Sequence, residues 1–158
     1  MPGVPPRDAT ERFLAQMSRW GRRIDVAFDI DLGELVDGHR VIARGLELRH
    51  SGAVFHYEFI PGISAEEQET KGPFFWYWTL HATDDRGTEY DSSNTGGFDT
   101  RGGESVHGER DLGGRVPRRA ARVTLAFEPP DGWQPPEPWR RTIVVDVDRR
   151  EVVDVGSD

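Results

Sequence analysis

The chain has 158 residues, a formal net charge of −8, no cysteine, 18 glycines and 11 prolines. That length suits one domain, or one domain with an arm. Without cysteine there is no disulfide scaffold, Cys-based zinc site, Cys-ligated iron–sulfur cluster or Cys nucleophile, and the acidic balance argues against a phosphate-backbone binder.

Residues 1–21 read as an N-terminal arm and short helix. Pro5 and Pro6 precede it, and Asp8 with Glu11 makes a capping-box-like pair. Ala9, Phe13, Leu14, Met17 and Trp20 recur at helical spacing, and Gly21 is a suitable stop. About twelve helical residues are marginal alone. The apolar stripe must dock on its own domain's sheet, on a partner or on a second copy.

From Arg22 the apolar period changes from 3.6 to 2, so residues 22–158 read as a β-sandwich domain. Ile24, Val26, Phe28, Ile30 and Leu32 alternate with Asp25, Asp29 and Asp31. Asp37-Gly38 marks a turn, and Val41 to Arg49 follows as a strand. Val41 and Ala43 differ in parity from Leu46 and Leu48, which a bulge at Arg44-Gly45 reconciles. After a turn at Ser51-Gly52, Ala53, Phe55, Tyr57 and Phe59 form one strand face. Pro61 to Gly72 reads as an acidic loop, and Phe74 to Ala82 as an aromatic strand. If that loop joins the two aromatic strands as a pair, Phe55 faces Trp78, Tyr57 faces Trp76 and Phe59 faces Phe74.

Asp84 to Gly87 reads as a turn, with a short strand at Thr88 to Tyr90. Ser92 to Gly108 reads as a long loop, with a weak edge strand near Glu109 to Leu112. Val123, Leu125 and Phe127 mark a strand after Pro117. Five prolines between Pro129 and Pro138 predict an extended connection. Ile143, Val145 and Val147 mark a late strand, with another at Val152 to Val155. The expected fold is all-β: an antiparallel immunoglobulin-like β-sandwich of about seven or eight strands, with no helix between them.

The aromatic pairing leaves His56, Glu58, Phe75, Tyr77, Thr79 and His81 on the opposite face. His56, Phe75, Tyr77 and His81 are therefore the candidate binding surface. The bland alternative is that the helix or a loop covers them. A third possibility is a sugar-stacking platform. Asp84, Asp85 and Asp91 are weak calcium-ligand candidates, because the EF-hand pattern is not met and a hairpin turn explains Asp84-Asp85-Arg86-Gly87. The five histidines form no close ligand pair. No nucleophile elbow, P-loop or dinucleotide fingerprint is present. No catalytic residue, metal site or cofactor is expected.

Three stretches resemble bacterial immunoglobulin-like β-sandwich modules. One is Leu46-Glu47-Leu48-Arg49-His50 with Ala53-Val54-Phe55-His56-Tyr57. The second is Leu80 to Tyr90, which contains a D-x-G-x-x-Y hairpin at Asp85 to Tyr90. The third is Leu112 to Leu125, with its proline-led turn Val116-Pro117-Arg118-Arg119-Ala120. The resemblance implies architecture and a non-enzymatic role, and it carries over no functional residues. Such modules are often extracellular. Here the N-terminal residues lack a signal-peptide pattern and no apolar run reaches the roughly 18 residues of a membrane span, so a cytoplasmic location is expected.

One bias points to the source. Lys71 is the single lysine and Asn94 the single asparagine, which reads as the codon bias of a GC-rich bacterial genome, with Arg-based phosphate or carboxylate recognition as the functional alternative. The leading expectation is a protein–protein interaction module that binds an unknown protein or itself, with neither nucleic acid nor membrane as partner. The alternatives are a carbohydrate-binding module using Phe75, Tyr77, Trp133 or Trp139, and a small hydrolase whose histidines and carboxylates converge in a cleft.

Overall fold

The computed structural model describes residues 8–72, 77–91, 96–130, 132–134 and 140–157. Two helices and nine strands are present among them: α1 (Asp8–Arg19), β1 (Val26–Val36), β2 (His39–Arg49), β3 (Gly52–Ile60), α2 (Ala65–Lys71), β4 (Thr79–Asp84), β5 (Gly96–Phe98), β6 (Val106–Asp111), β7 (Arg122–Glu128), β8 (Arg140–Asp146) and β9 (Glu151–Ser157). They build two antiparallel sheets, ordered β1-β2-β3-β6-β5 and β4-β7-β8-β9. The fold is an all-β sandwich. No helix of the described residues is long and apolar enough to cross a membrane.

Alternation sets which side chains enter the core. Val26, Phe28 and Leu32 of β1 are buried, as are Val123, Leu125 and Phe127 of β7 and Ile143 and Val145 of β8. The β2 parity conflict is resolved by a bulge. Ala43 pairs with Tyr57 and Gly45 with His56, so Arg44 is the extra residue. Gly45 is required there, because a Cβ would sit 2.7 Å from the Val26 carbonyl oxygen.

The two aromatic strands do not pair. β3 lies between β2 and β6, and β4 pairs with β7 in the other sheet. The connection after β3 is a crossover carrying a helix rather than a hairpin loop. The aromatics therefore meet face to face across the sandwich. Trp78 lies edge-on to Phe55 and Tyr57, with ring centroids 6.1 and 5.0 Å apart, and Phe127 reaches Phe55 at 5.3 Å. Trp76, Phe74 and Phe75 lie outside the described residues.

Three further expectations are corrected. The acidic loop contains α2, whose N-cap Ser64 accepts a hydrogen bond from the Glu67 N–H at 3.1 Å. This helix buries none of its residues, so it leaves no apolar stripe in the sequence. The strand near Glu109 is interior rather than an edge; the edge is β5. Thr88 to Tyr90 is not a strand. The Tyr90 hydroxyl instead donates to Asp84 Oδ2 at 2.8 Å and closes the preceding turn.

α1 lies on the outer face of the five-stranded sheet, with Phe13 and Met17 buried beneath it. Leu14 and Trp20 of the same stripe stay at the solvent boundary, 36% and 51% exposed. Gly21 adopts φ 72°. The Gly21 N–H bonds Ser18 O at 3.1 Å and the Arg22 N–H bonds Met17 O at 2.8 Å. This is the Schellman ending that glycine permits, and it turns Arg22 back toward the sheet.

Gly108 faces Tyr57 across the β3–β6 ladder, and a Cβ there would lie 2.3 Å from the ring's Cζ. Gly108→Ala should therefore destabilise the fold by about 1–3 kcal/mol through overpacking. A urea midpoint unchanged from wild type would show that the ring does not depend on this glycine.

Candidate functional site

β3 is buried on both faces. Its odd-numbered side chains enter the sandwich core, while His56, on the other face, is 0% exposed beneath α1. Phe13 meets the His56 ring edge-on at 6.0 Å, and Trp20 meets His107 at 5.3 Å. Neighbouring strands add polar groups to this layer. His107 and Glu109 come from β6, and Glu47 comes from β2.

The groups form a connected chain. Arg49 donates to both Glu47 carboxylate oxygens, at 2.8 and 3.0 Å. Glu47 Oε1 accepts from His56 Nε2 at 2.9 Å. His56 Nδ1 lies 3.0 Å from His107 Nε2, and the two rings stack at 5.2 Å. With Glu47 ionised and both rings neutral, His56 Nε2–H donates to Glu47 and His56 Nδ1 accepts from His107. Arg22 closes the far side. It donates to Glu109 Oε2 at 2.9 Å, and its other nitrogen is 3.9 Å from Glu47. Two arginines thus balance two carboxylates.

Burial dominates the titration of this layer. It pushes His56 down to about 4, helped by the positive charge of Arg22. It also pushes His107 down to about 4, followed by the effect of His56. Glu47 and Glu109 are raised, chiefly by burial and against the pull of Arg22. Among the described residues, the donor atoms of Glu47, His56 and Glu109 all lie within 4.8 Å of one another, close enough to hold a metal ion.

A groove of about 730 Å³ runs beside this layer, between α1 and the sheet. Ala9, Phe13, Ile60 and Pro61 line it with apolar atoms, and Arg12, Arg44, Glu58 and Glu104 contribute charge of both signs. Arg44 is held in place by Glu58 through its Nε and by Asp29 at 2.7 Å through Nη1. A second groove of about 490 Å³ reaches Glu47 from the other end and includes His50 and Arg150.

The candidate surface read from the sequence is not assembled on one face. His56 is covered by α1 on the outer side of one sheet, and His81 belongs to β4 of the other sheet. The separation follows from the crossover, which puts β3 and β4 on opposite sides of the core. Tyr77 is 55% exposed, and Phe75 lies outside the described residues. The Asp84 carboxylate accepts from the Arg86 and Thr88 backbone and from Tyr90. Desolvation is the largest single effect on Asp84 and raises its pKa, but the hydrogen bonds from Thr88, Arg86 and Tyr90 together outweigh it and leave the pKa lowered. Asp85 is likewise lowered, because bonds from the Ala121 and Arg122 N–H groups offset its desolvation. These bonds tie both carboxylates to the turn and its neighbouring strand. Asp91 is joined to Gly113 through its backbone N–H at 3.0 Å.

Of the convergent residues, Arg22, Glu47, His107 and Glu109 were not singled out by sequence reasoning. The strand carrying Glu47 was legible, but His107 fell in the segment read as a long loop and Glu109 in one read as a weak edge strand, whereas both belong to the interior strand β6, and the convergence requires the strand order. Trp133 donates to the Glu34 carbonyl at 3.2 Å, and Trp139 lies outside the described residues. No protein-family model, curated protein or solved structure matches the chain.

Both histidines take up protons more readily in the unfolded chain, whose imidazoles titrate near 6.5. Their contribution is therefore present above pH 6.5 and lost as pH falls from 6.5 toward 4. The raised carboxylates act in the opposite sense and offset part of this loss. Stability should drop by on the order of 2 kcal/mol between pH 7 and pH 5. The double variant His56→Gln, His107→Gln should flatten that profile in urea titrations. An equal pH slope in the variant would place the proton uptake elsewhere.

Proposed function

We propose that this chain is a non-enzymatic binding module of immunoglobulin-like type that engages a protein segment along the α1 groove. The groove itself carries this reading. Its lining combines apolar side chains with both positive and negative charge, the combination that suits an apolar anchor within a polar rim. Arg44 is preorganised by two carboxylates, which lowers the cost of ordering it on binding. Both ring nitrogens of His56 are taken up by Glu47 and His107, and no histidine lines the groove. The occupant that fits is a protein segment presenting one apolar side chain between charges of opposite sign. The two-sheet antiparallel architecture supports the immunoglobulin-like assignment.

Ala9→Trp places an indole in the groove and should weaken the partner's affinity by about tenfold or more, the cost of blocking a central anchor. The partner is recovered by affinity capture and its binding is remeasured with purified components. Tyr77→Ala is the control, because Tyr77 does not line the groove. If Tyr77→Ala abolishes binding and Ala9→Trp leaves it intact, the contact surface lies at Tyr77 and the groove assignment fails. If Ala9→Trp instead shifts the sedimentation of the isolated chain from dimer to monomer, the occupant is a second copy.

A further inference from the structure

We propose that Glu47, His56 and Glu109 form a divalent-cation site of the zinc class, for which the guanidinium of Arg22 is the competing cation. The three donors come from adjacent strands β2, β3 and β6, so the sheet itself sets their spacing. One atom from each lies within 4.8 Å of the others. Donors around a tetrahedral Zn²⁺ at about 2.1 Å stand about 3.4 Å apart. An ion therefore has to draw these atoms together by little more than about 1 Å, a distance that glutamate rotamers supply.

The donor set favours this metal class. One imidazole nitrogen and two carboxylate oxygens bring a charge of about −2, which matches a divalent ion. Three donors including an imidazole are too few and too soft for calcium, which takes about six to eight oxygens. Supporting contacts are already in place. Arg49 donates to both Glu47 oxygens and fixes the carboxylate, and His107 holds the second nitrogen of His56. On binding, His56 Nε2 would give its lone pair to the ion. The His56 proton would move to Nδ1 and be donated to His107 Nε2, with the His107 proton on its other nitrogen. The number of protons is unchanged and only the two tautomers shift. Such second contacts orient metal-bound imidazoles.

Arg22 shows that the pocket already attracts a cation. It sits 2.9 Å from Glu109 and 3.9 Å from Glu47. Its side chain is 32% exposed and follows the positive-φ glycine that ends α1, so it has a route to solvent. Exchange is cation for cation, and it would release Arg22 from beneath the helix end. This assignment stands apart from the groove, whose lining contains none of the three donors.

The test is Co²⁺ absorption spectroscopy, with Zn²⁺ calorimetry on the same chains after chelator treatment and dialysis. Wild type should show one saturable tetrahedral Co²⁺ spectrum that Zn²⁺ displaces. Arg22→Ala should tighten binding by about tenfold and Glu109→Gln should weaken it by more than about tenfold. His56→Ala should remove the spectrum. Glu109 is only partly buried, so Glu109→Gln keeps the test valid if His56→Ala fails to fold. No saturable spectrum in wild type, or a spectrum indifferent to Glu109→Gln, would overturn the site. An unchanged affinity in Arg22→Ala would overturn the role of Arg22 as competitor.

Discussion

A strand buried on both faces is the constraint around which this molecule is built. β3 sits at the centre of the larger sheet, and Ala53, Val54, Phe55, His56 and Tyr57 are all buried. A strand with one wet face tolerates polar groups there at no cost, but this one cannot. Its inner face must fill the sandwich core, and its outer face must find both a roof and hydrogen-bond partners. α1 provides the roof through Phe13 and Met17. The polar layer of β2 and β6 provides the partners.

That layer explains several otherwise unrelated features. A buried donor or acceptor left without a partner costs about 1–3 kcal/mol, and both nitrogens of His56 are engaged. A buried carboxylate needs a cation, so Glu47 is held by Arg49 and faces Arg22. Removing one member of such a set leaves the rest uncompensated, which is more damaging than replacing the whole set by apolar groups. The Schellman turn at Gly21 is part of the same construction, because it brings Arg22 back under the helix end. The helix stripe and the polar layer are therefore one unit.

In the absence of a disulfide, the two sheets are joined by aromatic packing. Trp78 stands between Tyr57, Phe55 and Phe127 at 5.0 to 6.1 Å, and the Arg110 guanidinium lies 4.1 Å from its ring. Arg110 also donates to the Trp78 carbonyl at 2.7 Å. The segment before β4 is thereby fixed to β6 of the opposite sheet. The outer face of the five-stranded sheet is left to the helix and the groove beside it.

Period-two and period-3.6 patterns are local properties of the chain, so the sequence by itself determined the faces of β1, β2, β3, β7 and β8, the α1 stripe and the Arg44 bulge, whereas β5 and the start of β6 lie in the glycine-rich segment that reads as a loop. α2 was missed because it has no apolar stripe, although its Ser64-to-Glu67 capping pattern was present. Pairing was decided only by the tertiary structure. The even-numbered face of β3 reads the same whichever strand lies beside it, yet the choice of β6 over β4 moved His81 to the far side of the core and brought Glu109 beside His56. Side-chain alternation specifies which face a residue occupies. Which residues share that face depends on strand order, and strand order is set by the packing of the whole sandwich.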